Sequence, residues 1–151
     1  KRLPRLETYL NNKKIDSFAL NEFFVGPKKA YLAAKYIIEI NGKKERQKSS
    51  GILVTTPAGS YAWASGCSNK KLPLNSKNYQ FVVREPYEGR VFRNYKLAYR
   101  VLNKNKKIRI ISEMLDGIIV ADSVGKEFSF KNGSRAVIRP SKNHLNAVWF
   151  K

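Results

Sequence analysis

Short runs of β-branched and aromatic residues recur along most of the chain. Runs of this length, some of them with two-residue periodicity, are typical of strands. Residues 95–101, for example, place Tyr, Leu, Tyr and Val at alternate positions, as expected of a half-buried strand. No window holds a sustained helical period, apart from a turn or two near 61–65. The predicted strands cover 18–25, 35–40, 45–48, 52–56, 80–84, 96–102, 107–114, 118–122, 127–131, 135–139 and 145–150.

Turn residues separate several of these runs. Asn41–Gly42, Asp116–Gly117 and Asn132–Gly133 are dipeptides that readily adopt the positive φ angles of two-residue loops, so each predicts a hairpin. Residues 70–78 are polar and rich in lysine, and we expect them to form the most mobile loop. Short strands joined by such turns indicate an all-β fold, a two-layer β-sandwich of short antiparallel strands.

The length of 151 residues fits one domain, 1–151, that is large enough to bury a hydrophobic core. No apolar run approaches the roughly 20 residues of a membrane-spanning helix, so no membrane partner is expected. Residues 1–4 lack the apolar stretch of a signal peptide, and secretion is not expected either. Cys67 is the only cysteine, which excludes an internal disulfide and a thiolate metal cluster.

The composition is strongly basic, with 30 Lys and Arg against 11 Asp and Glu and a formal net charge of +19. Clustered lysine and arginine favour phosphates through counterion release, so a nucleic acid or another polyanion is one candidate partner. Scattered charges instead indicate a solvated surface. The basic residues of this sequence are scattered, so a nucleic-acid partner is the weaker interpretation. They lie at Lys13–Lys14, Lys28–Lys29, Lys43–Lys44, Lys70–Lys71 and 104–109.

Most familiar catalytic motifs are missing from the sequence. It contains neither a phosphate-binding Gly-x-x-x-x-Gly-Lys-[Ser/Thr] loop nor a Gly-x-Gly-x-x-Gly segment. His144 is the only histidine, so a catalytic triad or a histidine zinc site lacks partners. Asp116 and Asp122 are candidate paired carboxylates, although a hairpin turn explains Asp116 better. These residues alone define no active site, and we assign no metal ligand.

The segment 49–66 ends a predicted strand with a Gly-Ser turn and two aromatic residues. Its part 56–63, Thr-Pro-Ala-Gly-Ser-Tyr-Ala-Trp, resembles the Thr-Pro-Thr-Gly-Ser-Thr-Ala-Tyr signature of NAD kinases. Four further segments resemble the same family, and the resemblance covers nearly the whole chain and points to the divergent, mitochondrial-type branch. They are Ala-Leu-Asn-Glu at 19–22, Gln-Lys-Ser-Ser-Gly at 47–51, Val-Arg-Glu-Pro with Arg-Val-Phe within 83–92, and Leu-Asp-Gly at 115–117.

The resemblance implies an ATP-dependent enzyme that phosphorylates the 2′-hydroxyl of the adenosine ribose of NAD to make NADP. NAD is then the substrate, and ATP and a divalent metal, Mg²⁺, serve the full-length enzyme. In the family, an N-terminal α/β domain carries a Gly-Gly-Asp-Gly motif whose aspartate is the base, and that motif does not occur here. We therefore expect the C-terminal, NAD-binding β domain, with no catalytic residue and no activity of its own.

The resemblance also implies which residues bind the substrate. Asn21 and Glu22 stand where the family's Asn-Glu pair contacts the dinucleotide, and a carboxylate accepts hydrogen bonds from ribose hydroxyls. Gly59 permits close approach of the backbone to a ligand, and Trp63 keeps an aromatic ring that can stack on a base. The predicted substrate-binding residues are Asn21, Glu22, Ser50, Gly59, Ser60, Tyr61, Ala62 and Trp63.

Some positions depart from the family pattern. Ser50 replaces a usual Asp, so it offers a hydroxyl without charge, and Tyr61 replaces a Thr and is much bulkier. Segment 84–92 corresponds to a family region that can complete the site from a neighbouring subunit, which implies a homodimer. Its weaker candidate contacts are Arg84, Glu85, Tyr87, Arg90 and Phe92, and the two arginines also suit ion pairs with Glu85 and Glu88.

Other interpretations remain open at this point. Asn21 and Glu22 also suit a purely structural strand end, and the two aromatic residues after the Gly-Ser turn also suit a core. The whole chain also fits a basic β module that binds nucleic acid, or the C-terminal domain of a related lipid or sugar kinase. As an NAD kinase, it is expected in the cytoplasm of a bacterium or the mitochondrial matrix of a eukaryote, with its own N-terminal domain as partner.

Overall fold

The structure is a computed structural model that describes residues 1–149. These residues form fourteen strands and two short 3-10 helices, Gly59–Tyr61 and Trp63–Gly66. The strands are β1 (Arg2–Leu3), β2 (Leu6–Leu10), β3 (Lys13–Ala19), β4 (Glu22–Pro27), β5 (Ala34–Ile40), β6 (Lys43–Ser49), β7 (Gly51–Thr55), β8 (Tyr79–Arg84), β9 (Tyr99–Leu102), β10 (Ile108–Ser112), β11 (Gly117–Ala121), β12 (Phe128–Ser129), β13 (Arg135–Pro140) and β14 (Leu145–Asn146).

Two six-stranded antiparallel sheets form the two layers. The first has the order β3-β2-β13-β10-β5-β6, and the second has the order β12-β11-β4-β7-β8-β9. A small ribbon pairs β1 with β14. The prediction of an all-β, two-layer sandwich of short antiparallel strands is therefore confirmed. Within residues 1–149, no helix has the length and apolar character that a membrane crossing requires.

The hydrophobic core lies between the two sheets. Phe23, Val54 and Phe81 are register partners across the second sheet, and all three are fully buried. Ile38 and Ile110 are partners in the first sheet and are also fully buried. Because side chains alternate along a strand, residues on either side of Phe23 point to the outer face of the second sheet. That outer face is where the candidate site lies.

The turn predictions succeed in one case and fail in two. Asn41–Gly42 joins β5 to β6 as a hairpin, with φ angles of 52° and 76°. Asp116–Gly117 and Asn132–Gly133 do not form hairpins, because each connects strands that belong to different sheets. A turn dipeptide predicts a reversal but not which strand will be the partner. The hairpin at Asn11–Asn12, with φ angles of 49° and 67°, was not predicted.

The predicted strand 18–25 is wrong as a single strand, and the error matters for the site. The chain leaves β3 in the first sheet, bends at Leu20–Asn21, and enters β4 in the second sheet. The helical turns predicted near 61–65 are confirmed by the two 3-10 helices. The predicted strand 96–102 shortens to β9, and 145–150 shortens to β14, with its last residue, Phe150, outside the described residues.

Candidate functional site

The bend between the two sheets brings the Asn-Glu pair against the Thr-Pro turn. The Thr56 amide donates to the Asn21 carbonyl oxygen at 2.9 Å. The Thr56 hydroxyl donates to the Leu20 carbonyl oxygen at 2.5 Å and accepts the Gly59 N–H at 3.0 Å. One threonine therefore joins two segments that are more than thirty positions apart in the sequence. These backbone contacts need no ligand to form.

Gly59 is required by this contact for a steric reason. A Cβ atom at position 59 would lie only 1.9 Å from the Asn21 carbonyl oxygen. No side chain can occupy that space without moving the backbone of one of the two segments. In the structure, Gly59 therefore permits a close approach between its own turn and the backbone of Asn21. Its predicted contact with substrate stays a prediction.

Glu22 has the most unusual environment of the predicted residues. It is only 3% exposed, and its Oε2 atom has no hydrogen-bond partner among the described residues. Burial, and then the nearby negative charge of Asp122, raise the pKa of Glu22 to about 7. Its register partner Thr55 is fully buried, and the Thr55 hydroxyl also lacks a partner within 1–149. Two unsatisfied polar groups side by side are rare in a folded interior and are suited to a ligand hydroxyl.

Asp122 holds the backbone of the bend. Its carboxylate accepts the amides of Leu20 at 2.8 Å, Asn21 at 2.6 Å and Glu22 at 3.2 Å. The Asp122 amide in turn donates to the Glu22 carbonyl oxygen at 2.9 Å. Both carboxylate oxygens are thus engaged at the bend, and the candidate pairing with Asp116 does not describe their role.

Trp63 lies on the outer face of the second sheet and is 37% exposed. Its ring stacks on Phe24 with centroids 5.4 Å apart, and the Arg84 guanidinium lies over it at 4.6 Å. The 3-10 segment itself is anchored to this face, because Ala64 packs with Leu53 and the neighbouring Val82. A ring and a guanidinium at one place offer flat surfaces to a planar base.

Ser60, Tyr61 and Ala62 have different surroundings. Ser60 is fully buried, and its hydroxyl donates to the Pro57 carbonyl oxygen at 2.7 Å and accepts the Leu72 amide at 3.0 Å. Tyr61 is half exposed, with the Lys71 ammonium over its ring at 5.3 Å. The Ala62 amide donates to the Gly59 carbonyl oxygen at 3.0 Å. Their substrate contacts remain predictions, and Ser60 already uses its hydroxyl within the chain.

Two open hollows border the other end of β7. A cleft of about 490 Å³ is lined by Trp63, Gly66, Cys67, Val83, Arg84, Glu85 and Pro86. A second hollow of about 420 Å³ lies on the other side of Glu85 and Pro86, and Ser50 and Tyr87 contribute to its lining. The Ser50 amide donates to the Arg84 carbonyl oxygen at 2.9 Å. Of the predicted residues, five line these hollows: Ser50, Trp63, Arg84, Glu85 and Tyr87.

The predicted residues do not all converge on one point. Asn21, Glu22 and Gly59 lie at one end of β7, and Ser50 and Arg84 lie at the other. The Phe24–Trp63–Arg84 contacts connect the two ends.

The rest of segment 84–92 is more dispersed. Arg84 and Glu85 form a long ion pair of 3.9 Å, which is one of the two roles that the sequence left open for this arginine. Phe92 lies against Arg46 of the first sheet, and neither hollow includes Arg90 or Phe92 in its lining.

Sequence reasoning missed Phe24 and the role of Asp122. Phe24 stands two positions after Glu22, so strand alternation alone places both on the same face, and that signal was available. Asp122 carried no such signal, because its partners are about one hundred positions away along the chain.

The family resemblance implies a divalent metal, for which carboxylate side chains would be the expected ligands. Within 1–149, no three His, Cys, Asp or Glu side chains converge as a metal site requires. The Glu22 carboxylate, including its buried Oε2 atom, accepts no hydrogen bond from the described residues, while both oxygens of Asp122 are occupied by backbone amides. The described residues do not by themselves form a metal site.

Comparisons with known proteins show what the chain is similar to. No family model matches the chain. It is 28% identical over 159 residues to the mitochondrial NAD kinase 2 of Rattus norvegicus, covering 82% of this chain and 37% of that protein. The chain thus spans little more than a third of that relative.

Solved structures show the same fold. An NAD kinase from Archaeoglobus fulgidus in complex with ATP aligns with a TM-score of 0.77 and 23% identity, covering 95% of this chain and 53% of that one. A yeast NADH kinase complexed with NADH aligns with a TM-score of 0.78 and 18% identity, covering 93% and 41%. The fold matches that of the C-terminal β domain of NAD kinase. The resemblance to NAD kinases, predicted from the motifs, is confirmed, and the nucleic-acid and lipid- or sugar-kinase interpretations are not favoured.

Proposed function

We propose that this chain is the NAD-binding C-terminal domain of an ATP-dependent NAD kinase, which phosphorylates the 2′-hydroxyl of the adenosine ribose of NAD to form NADP. The observation that carries the proposal is the free, buried Oε2 atom of Glu22 beside Asn21 and the Gly59 turn. A carboxylate with an unused oxygen is well suited to accept hydrogen bonds from ribose hydroxyls. The relatives named above support the same assignment.

Each residue in this proposal has a role in binding rather than in chemistry. Glu22 accepts a hydrogen bond from a ribose hydroxyl, and the side-chain amide of Asn21 donates and accepts hydrogen bonds at the edge of a base. Trp63 and the guanidinium of Arg84 offer flat surfaces to a base, while the charge of Arg84 also attracts the diphosphate. Because Glu22 is buried, its hydrogen bonds to a ligand would be shielded from water and thereby strengthened.

We propose that the phosphoryl-transfer chemistry depends on a second domain. Transfer needs a base within hydrogen-bond reach of the ribose hydroxyl and a phosphate donor aligned with it. A bound divalent metal would neutralise charge on the transferred phosphate. The described residues offer no such base besides Glu22, to which we give a binding role. A Gly-Gly-Asp-Gly domain is therefore proposed as the partner, and this chain alone is expected to be inactive.

A homodimer is also proposed, on the basis of the family resemblance and of exposed residues beside the 420 Å³ hollow. Tyr31 is 79% exposed and Tyr87 is 50% exposed, and both line that hollow. Val91 in the same segment, 84–92, is 77% exposed. Sedimentation equilibrium should give twice the chain mass, and a Tyr87→Lys variant should be a monomer. A wild-type chain that is monomeric at high micromolar concentration would contradict the proposal.

The proposed compartment is a bacterial cytoplasm or a mitochondrial matrix.

Calorimetry with NAD tests the binding role directly. Wild-type chain should bind NAD, and Glu22→Gln and Trp63→Ala should each weaken binding by about tenfold, since each removes one ligand contact. Glu127→Gln and Trp149→Ala are matched controls, because both side chains are exposed and lie in no part of the site. Unchanged affinity in both site variants would remove the site assignment.

An assay of ATP-dependent NADP formation by the isolated chain tests whether phosphoryl transfer requires a second domain. No turnover is expected until a Gly-Gly-Asp-Gly domain is supplied. Measurable turnover by the chain alone would refute the need for a second domain. Competitive displacement of NAD by an oligonucleotide would instead revive the polyanion interpretation.

A further inference from the structure

The bend at Leu20–Glu22 is a place where backbone polar groups lose their strand partners. Here the chain leaves one sheet and enters the other, so its amides and carbonyls must find other partners. Thr56 serves the carbonyls of Leu20 and Asn21 from one side. On the other side, three consecutive amides converge on a single carboxylate, that of Asp122.

The conformation of Asp122 is itself unusual. Its φ angle is 53° and that of Ser123 is 57°, so two successive residues without a glycine adopt the left-handed region. Such a conformation persists only where the surroundings hold it. The Asp122 amide donates to the Glu22 carbonyl oxygen, and the Gly125 amide donates to the Ala121 carbonyl oxygen at 3.0 Å. These bonds keep the carboxylate aimed at the bend.

We propose that Asp122 is the positioning residue of the site: by binding the amides of Leu20, Asn21 and Glu22 it fixes the bend that presents the side chains of Asn21 and Glu22 to the ligand. This inference rests on the proposed function for the identity of the ligand. Charge-assisted bonds to backbone amides are stronger than neutral ones, and three of them leave little freedom to the bend. Asp122 itself spends both oxygens on the backbone and touches no ligand.

The test begins with ligand-free protein and the variants Asp122→Ala and Asp122→Asn. Amide hydrogen exchange at Leu20 and Asn21 should accelerate about a hundredfold in Asp122→Ala and less in Asp122→Asn, which keeps one acceptor oxygen. Exchange in the β5–β10 core should not change if the effect is local. The matched control is Asp116→Ala, because none of the hydrogen bonds within 1–149 involves the Asp116 carboxylate. Equal exchange at the bend in Asp122→Ala and Asp116→Ala would overturn the inference.

The second arm measures NAD affinity in a double-mutant cycle with Glu22→Gln, at a temperature where all variants are folded. Asp122→Ala should weaken binding about tenfold in the wild-type background, and much less when Glu22 is already replaced, because the two residues act together. Equal losses in both backgrounds would show that Asp122 acts independently of Glu22 and would overturn its positioning role. If the wild-type chain binds no NAD, the proposed function fails, and the exchange measurement still decides whether Asp122 fixes the bend.

Discussion

Replacing Glu22 by glutamine is expected to make the stability of the chain less dependent on pH. In the folded chain the pKa of Glu22 is raised from 4.5 to about 7, first by burial and then by the Asp122 charge. An acid whose pKa is raised by folding stabilises the folded state while it is protonated. That contribution is complete below pH 4.5 and is lost as the pH rises to about 7.

The size of the effect follows from the same shift. Each pKa unit corresponds to about 1.36 kcal/mol, so the wild type should lose about 3 kcal/mol between pH 4.5 and 8 through this group. Glutamine cannot ionise and should not show that loss. The free energy of unfolding of Glu22→Gln, relative to wild type, should therefore rise by about 3 kcal/mol over this range.

Urea denaturation at several pH values provides the measurement, because the other titrating groups cancel in the difference between variant and wild type. Glu127→Gln serves as the control: its carboxylate is half exposed and pairs with Lys28 at 3.2 Å, so its difference from wild type should stay small throughout. A Glu22→Gln difference that does not change with pH would refute the reasoning. Glu22→Gln should also bind NAD less well, so at this residue the substitution that removes the loss of stability at higher pH weakens ligand binding.

Two further predictions concern the turn and the first sheet. Gly59→Ala should destabilise the chain by about 2–3 kcal/mol and abolish NAD binding, because the new Cβ atom would meet the Asn21 carbonyl. Gly66→Ala is the control and should be tolerated, because a Cβ atom at position 66 has nothing within 4 Å. Equal unfolding midpoints for the two variants would contradict this prediction. Burial alone raises the pKa of Glu7, but hydrogen bonds from Lys14, Arg139 and Ser141 outweigh it and lower the pKa below 4.5. Glu7→Gln should therefore destabilise the chain by about 1–3 kcal/mol at pH 7, and this cost should vanish as the pH falls through that lowered pKa. Denaturation at pH 7 and in acid, down to pH 3, provides the measurement. A cost that persists in acid would contradict the prediction.

The fold class was accessible from local patterns alone. Short β-branched runs and turn dipeptides predict strands because alternation and positive φ angles are properties of a few neighbouring residues. For the same reason the Asn41–Gly42 hairpin was predicted correctly. The motifs at 19–22 and 56–63 likewise pointed to the family without any knowledge of the three-dimensional arrangement.

Strand partners and the bend at Leu20–Asn21 were decided by tertiary structure. Residues 18–25 read as one continuous strand because aromatic and aliphatic side chains stand on both sides of the bend, while the switch between sheets depends on Thr56 and Asp122, which are remote in the sequence. Asp116–Gly117 and Asn132–Gly133 were predicted to form hairpins but connect strands of different sheets, because the partner of the next strand is decided by the packing of the two layers and not by the turn dipeptide.

The candidate site divides along the same line. The sequence supplied the kinds of residue, a carboxylate, an amide, a glycine turn and a ring, because chemistry is carried by residue type. The burial of Glu22, its unsatisfied oxygen and the charge of Asp122 beside it could not be predicted in this way, because they depend on residues that are remote in the sequence, such as Thr55 and Asp122. The sequence determined which polar groups were available, and only the packing of the tertiary structure decided which of them, such as Glu22 and Thr55, kept a buried polar atom without a partner among the described residues.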